Sequence, residues 1–393
     1  MKCSWKLVLL LVFFCLAVQY TALRSIQDFF PRPCQDFSQC QKYPEKGESQ
    51  PTTAPARRHI HLFSQTRSGS SFAGQLFNQH PDIFYMFEPL YHAQQSIFNY
   101  SKCLGKPTDR FVQGLYRDLL FNLYTCYINV LENYIQPEPK DHLTTSFFHQ
   151  ASSHALCSPP ICQEELVSQK CRILNLTLAS LACHSRSHVA IKTVRIPRVS
   201  DLRILTEDPR LDLRIIHLVR DPRAILASRI TAFTEKFIAW KIWNATDKQP
   251  NHVDLTQITR TCQDMVYSVD IGLKKPAWLQ GRYLLVRYED LAINPEAKAK
   301  EIYKFLDLNI DNKVLTWISQ NTNATSSSKS RFSTSRDSKT TPESWRLHLG
   351  FDIVKTVQTL CNNTLALLGY KIAQSEVELR NITNSLVEPR TFN

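Results

Sequence analysis

His59-Ile60-His61-Leu62-Phe63, then Ser64-Gln65-Thr66-Arg67-Ser68-Gly69-Ser70-Ser71, then Phe72-Ala73-Gly74-Gln75-Leu76-Phe77: this stretch decides the fold. The first five residues read as a short strand and the next eight as a polar turn. Phe72, Ala73, Leu76 and Phe77 then recur at helical spacing. Main-chain N–H groups converge in such a strand–turn–helix, and the helix start adds positive dipole, so the turn is built to hold an anion. Gly69 permits close approach to the backbone, Ser68, Ser70 and Ser71 supply hydroxyls, and Arg67 brings charge on a planar fork. Gln65 and Thr66 complete the candidate anion loop. No Gly-Lys-Ser/Thr closes it, which argues against a kinase or GTPase phosphate loop. An ordinary turn with a serine cap is the plainer alternative.

The same alternation continues down the chain. Ile83 to Phe87, Val189 to Val194, Ile215 to Val219 and Tyr283 to Val286 read as strands, several of them continuous apolar runs. Such runs suit parallel strands buried on both faces. Helical patterns follow Asp221 and span Pro295 to Leu306. The expected fold is therefore α/β: one domain with a central, mostly parallel sheet flanked by helices. A second strand-to-helix junction, Leu218-Val219-Arg220-Asp221-Pro222-Arg223, runs on to Ser228-Arg229. Asp221 is placed to cap the helix and Pro222 to occupy its first turn. Arg220 emerges at the strand's carboxyl end, where open α/β sheets bind ligands. Ser228 lies two turns into the helix, and Arg223 either assists or faces solvent. Glu88 follows the second strand, and Pro89 fixes the chain after it. It is the candidate general base, with a plain salt bridge as the alternative. Lys192 interrupts an apolar strand. Its charge is expensive there unless it faces a polar site or sits on an edge strand with water contact.

The whole chain sets the context. Its 393 residues carry 47 Lys+Arg against 35 Asp+Glu, a net charge of +12 that favours anionic partners. Lys2 and Lys6 precede an uncharged run from Leu7 to Leu23, which Arg24 ends. The run reads as a transmembrane signal-anchor over 7–23 behind a cytoplasmic tail, 1–6, with a cleaved signal peptide as the alternative. A Pro- and Gln-containing stem, 24–58, would lead to a luminal body, 59–393. Ten cysteines follow the run, which suits disulfides in an oxidising lumen better than a zinc site. Sequons begin at Asn99, Asn175, Asn244, Asn323, Asn362 and Asn381. A luminal body makes nucleic acid an improbable partner. Residues 323–343 read as a long Ser/Thr/Lys-rich loop.

The Arg67-Ser68-Gly69-Ser70-Ser71 loop, paired with Leu218-Val219-Arg220-Asp221-Pro222-Arg223 and Ser228-Arg229, resembles the Golgi carbohydrate sulfotransferases. Further segments share the resemblance: Gly74 to His80, Phe87 to His92, Ala190 to Arg195 and Val286 to Leu291. It departs at Ala73, where valine is expected, and over 324–341. The resemblance implies that the first loop binds the 5′-phosphosulfate end of 3′-phosphoadenosine 5′-phosphosulfate. It implies that Arg220 and Ser228 hold the 3′-phosphate, with Asp221 and Arg223 of the same segment among the donor-binding residues. Glu88 would take the proton of a sugar hydroxyl, while Lys192 and Arg67 stabilise the leaving phosphate. The chemistry requires no metal. The implied acceptor is the 6-hydroxyl of galactose in keratan-type glycans, with N-acetylglucosamine and N-acetylgalactosamine as alternatives. A non-catalytic glycan-binding membrane protein is the rival class. Intact Arg67, Glu88, Lys192 and Arg220 argue against it, because a pure binder needs no base.

Overall fold

A computed structural model describes residues 57–105, 107–134, 153–161, 175–233, 235–322 and 342–392. The expected membrane run lies outside them, as do the stem up to residue 56 and most of the 323–343 loop. Among the described residues no helix is long and apolar enough to cross a membrane.

The chain opens with β1 (His59–Ser64), α1 (Ser70–Asn78), β2 (Ile83–Phe87), α2 (Leu90–Leu104) and α3 (Asp109–Tyr124). It continues through α4 (Leu176–Ser185), β3 (His188–Thr193), α5 (Arg203–Glu207), β4 (Leu213–Val219), α6 (Pro222–Ala232), α7 (Ile238–Thr246) and α8 (Thr256–Lys274). Then come β5 (Tyr283–Arg287), α9 (Tyr288–Ile293), α10 (Pro295–Leu306), α11 (Asn312–Thr322), α12 (Phe351–Leu360), α13 (Asn362–Leu368) and α14 (Glu376–Arg380). The strands form one parallel sheet in the order β2-β3-β1-β4-β5. All five expected strands are present, with ends moved by up to two residues. β4 begins earlier than its apolar run because Leu213 is buried, while Arg214 beside it reaches Asp212 and the Gly281 carbonyl.

Side-chain alternation divides the core into layers. Ile60, Leu62, Tyr85, Ala190, Ile216, Leu218 and Val286 face Leu76, Phe77, Leu291, Ile302 and Leu306 of α1, α9 and α10. Phe63, Met86, Val189, Ile191 and Ile215 face Leu119, Leu120, Leu123, Ala182 and Met265 of α3, α4 and α8. Apolar burial on both faces explains why these strands read as runs rather than alternations. A third cluster joins Leu226 and Ile230 of α6 to Trp240, Trp243, Ile353 and Val357. Two disulfides form among the described residues. Cys126–Cys183 ties the end of α3 to α4, and Cys262–Cys361 ties α8 to the end of α12. By chain entropy they contribute about 4 and about 5 kcal/mol, respectively, against the unfolded chain. Cys157 is a buried free thiol.

The register levels the carboxyl ends of the strands. Phe87 pairs with Lys192, Phe63 with both Thr193 and His217, and Val219 with Arg287. Glu88, Lys192, the loop after β1, Arg220 and Tyr288 therefore share one rim of the sheet, and β1 at its centre marks the point where the crossovers change direction.

Candidate active site

The loop after β1 turns on two left-handed residues, Arg67 at φ 72° and Gly69 at φ 87°. The Ser68 hydroxyl donates to the Gln65 carbonyl at 2.6 Å, and its amide donates to the same oxygen. Ser68 is thus buried as a clasp that closes the turn, and it leaves the cleft-lining edge to Thr66, Arg67, Gly69, Ser70 and Ser71. The Gly69 carbonyl accepts from Phe72 and Ala73 and starts α1. Gly69 has a further reason to lack a side chain: a Cβ there would stand 2.2 Å from the Tyr288 ring. Gly69→Ala combines a left-handed φ with that clash, so it is expected to cost about 1–3 kcal/mol, read as a lower urea midpoint.

The second segment meets the first. Arg220 leaves β4 with its guanidinium 4.7 Å from the Tyr288 ring and donates to the Arg67 carbonyl at 3.1 Å. Arg67 Nε donates to Ser228 Oγ at 2.9 Å. Arg229, quoted in the sequence motif but assigned no role, donates through Nε and Nη2 to the Thr66 carbonyl. Burial brings its pKa down to about 10. The two anion-loop candidates are therefore laced into one wall.

Two assignments of this segment need correction. Arg223 neither lines the cleft nor faces solvent. It is fully buried, pairs with Asp221 Oδ2 at 2.7 Å, and donates to Gln358 Oε1 and the Lys371 carbonyl at 2.8 Å each. Asp221 caps α6 as expected, accepting from the Arg223 amide, but its second oxygen is spent on the Arg223 guanidinium rather than on a ligand. Position i+2 after a cap faces inward here because α12 and the chain near Lys371 cover the start of α6. Gln65, like Ser68, is absent from the cleft lining.

Across the rim stands Glu88, at φ 52°, an uncommon conformation for a residue with a side chain. The Lys192 carbonyl holds its amide at 2.8 Å. Lys192 Nζ donates to Glu88 Oε1 at 2.6 Å, and the Val194 amide donates to the same oxygen at 3.1 Å. Thr193 Oγ1 lies 3.4 Å and Arg195 Nε 3.5 Å from Oε2. β3 lies between β2 and β1, so Lys192 is no edge-strand lysine keeping contact with water; it is 4 % exposed. Burial lowers its pKa, with the Glu88 carboxylate opposing and the Arg195 and Arg67 charges reinforcing the shift. A buried pair of this kind is weak evidence for stability, since desolvation opposes the Coulomb gain, and rims of α/β sheets are where such groups do chemistry.

These residues line a cleft of about 620 Å³. Thr66, Arg67, Gly69, Ser70, Ser71, Arg220, Ser228 and Tyr288 stand on one side of it, with Phe87, Glu88, Tyr91, Lys192, Val194 and Arg195 near the other. Asn244 also lines the cleft, its amide donating to the His348 carbonyl and accepting from the Gly350 amide. That use competes with its reading as a glycan acceptor. Asn175, Asn362 and Asn381 are exposed. Asn323, and the side chain of Asn99, fall outside the described residues.

Near Arg220 lies Glu289, 1 % exposed, which no local pattern in the sequence marks. It accepts from the Asp221 amide at 3.1 Å and the Tyr370 hydroxyl at 2.8 Å. Burial pushes its pKa up to about 7, with the Arg220 charge pulling the other way. A carboxyl raised in the folded state contributes stability that is present below its ordinary 4.5 and lost as pH rises through about 7. Relative to Glu289→Gln, the natural chain is expected to lose on the order of 3 kcal/mol across that window. Urea midpoints of both proteins against pH measure it.

Comparison with known proteins shows the family of the chain. Residues 57–369 match the family described as "Sulfotransferase domain". Carbohydrate sulfotransferase 1 of Rattus norvegicus is 47% identical over 100% of this chain and 99% of its own. The Danio rerio protein of the same name is 46% identical over the same shares. Carbohydrate sulfotransferase 3 of Mus musculus is 43% identical over 87% of this chain and 74% of its own. The chain that builds this rim belongs to the sulfotransferase family.

Proposed function

We propose that this enzyme transfers a sulfonyl group from 3′-phosphoadenosine 5′-phosphosulfate to the 6-hydroxyl of galactose in keratan-type glycans. The observation that carries the reading is a carboxylate–ammonium pair, Glu88 with Lys192 at 2.6 Å, on one wall of a cleft whose other wall is an anion loop laced to Arg220 and Ser228. The loop amides with Arg67 suit the phosphosulfate, and Arg220 with Ser228 suits the 3′-phosphate. The acceptor hydroxyl lies against Glu88. Its oxygen attacks sulfur as the bond from sulfur to the bridging phosphate oxygen breaks in line. The proton passes to Glu88, and the electron pair leaves on the 5′-phosphate, beside Lys192 and Arg67. Products are the sulfate ester and 3′-phosphoadenosine 5′-phosphate. The named relatives support a carbohydrate acceptor. The uncharged run, the cysteines and the sequons support a single-pass Golgi membrane protein with its body in the lumen.

Full-length chain purified in detergent, given labelled donor and a panel of desulfated keratan, chondroitin and short glycans ending in galactose or N-acetylglucosamine, tests this. Label at C6 of galactose is the expected result. Label on N-acetylglucosamine or N-acetylgalactosamine alone overturns the acceptor, and donor binding without transfer to any acceptor favours the glycan-binding class.

A further inference from the structure

We propose that Arg195 is a specificity-determining residue, binding an anionic substituent, a sulfate ester or a carboxylate, carried by the glycan acceptor close to the hydroxyl that reacts. This rests on the functional reading above and adds a charge requirement to the acceptor.

Arg195 follows β3 by two residues, and its amide donates to Thr193 Oγ1 at 3.1 Å, which fixes the turn that presents it. Its guanidinium lies 5.3 Å from the Tyr91 ring at the start of α2, and its charge acts on Tyr116 of α3. Its Nε stands 3.5 Å from Glu88 Oε2, the carboxylate against which the proposed reaction sets the acceptor hydroxyl. In that reading the donor's anionic groups belong to the loop after β1 and to Arg220, so Arg195 adjoins the acceptor.

Its charge is also surplus to the site. Glu88 supplies one negative charge, and Lys192 already meets it at 2.6 Å, whereas Arg195 Nε stands off at 3.5 Å. That Nε is buried, and among the described residues it has no hydrogen-bond partner. The side chain is 21% exposed and lines the cleft, so its outer edge is reachable. Tyr91 backs the cation with an aromatic ring, which leaves the planar fork for an oxyanion. The open edge of such a guanidinium gains from sulfate or carboxylate oxygens by paired charge-assisted bonds. A neutral sugar offers no such bonds, and discrimination follows from that difference.

The test compares the natural full-length chain with Arg195→Ala and Arg195→Lys. The acceptors are three matched short glycans: one neutral, one with a sulfate ester on the sugar next to the reactive one, and one with a carboxylate there. Equilibrium binding without donor and steady-state transfer are both read. The natural chain is expected to prefer at least one anionic glycan over the neutral one by about 10-fold or more. Arg195→Ala is expected to abolish that preference through KM, with Arg195→Lys intermediate and donor KM unchanged. The anionic glycan whose preference disappears identifies the group that is read. Equal affinity of the natural chain for all three glycans overturns the assignment. So does a fall in kcat that is the same for neutral and anionic acceptors, which would make Arg195 a holder of Glu88. A rise in donor KM overturns it by placing Arg195 on the donor. The binding arm needs no turnover, so failure to transfer overturns the proposed reaction without deciding the fate of Arg195.

Discussion

Glu88→Gln is expected to lower kcat by roughly 10²–10⁴-fold while binding of 3′-phosphoadenosine 5′-phosphate stays within a few-fold of the natural chain. Glutamine matches the shape and still accepts from Val194, whose amide lies 3.1 Å from Oε1. What it lacks is the ability to take a proton and the charge that balances Lys192. A buried ammonium without its partner is costly, so the variant is also expected to lose about 3 kcal/mol of stability. Thermal unfolding therefore accompanies the assay, which is run well below the variant's midpoint. Natural turnover in the folded variant would reduce Glu88 to a salt-bridge partner of Lys192 and remove it as base.

Arg220→Ala is expected to weaken 3′-phosphoadenosine 5′-phosphate binding by about 10- to 150-fold, the equivalent of 1.5–3 kcal/mol for a hydrogen bond to a charged group. The comparison that isolates the 3′-phosphate uses adenosine 5′-phosphate. For that ligand the variant and the natural chain are expected to bind alike. A matching loss with both nucleotides would mean that Arg220 acts by propping the Arg67 carbonyl, to which it donates at 3.1 Å. Isothermal calorimetry on both nucleotides reads the difference. Arg223→Ala makes the contrast. Its guanidinium is sealed under Gln358 and Lys371, so its removal is expected to appear in stability before it appears in affinity.

The alternation of apolar runs and helical periods carried the architecture. Pro295 to Leu306 is a helix at the ends its proline and periodicity predicted, and all five strands lie within two residues of the apolar stretches that marked them. Local chemistry could do this because strands buried on both faces are rich in apolar residues, with few polar ones to blur the pattern. It also exposed the main candidate site residues. Arg67, Glu88, Lys192 and Arg220 each break a local rule, as a charge in or just after an apolar strand. Arg195, Arg229, Tyr288 and Glu289 broke none. A charged or aromatic residue next to a strand end is common, and nothing in its immediate neighbours says what lies across the cleft.

Readable in the residues alone were a parallel α/β sheet, a candidate anion loop after its first strand, and four charged residues at its rim. Those follow from periodicity, from turn chemistry and from the desolvation cost of a charge, all of which act within a few residues. Tertiary structure alone decided which charge meets which. It paired Lys192 with Glu88 across 104 positions, sealed Arg223 under α12, set Tyr288 against Gly69, and left Arg195 facing the cleft with surplus charge. Coulomb energy and burial depend on distance in space, and only the strand order β2-β3-β1-β4-β5 brings those residues within reach of one another.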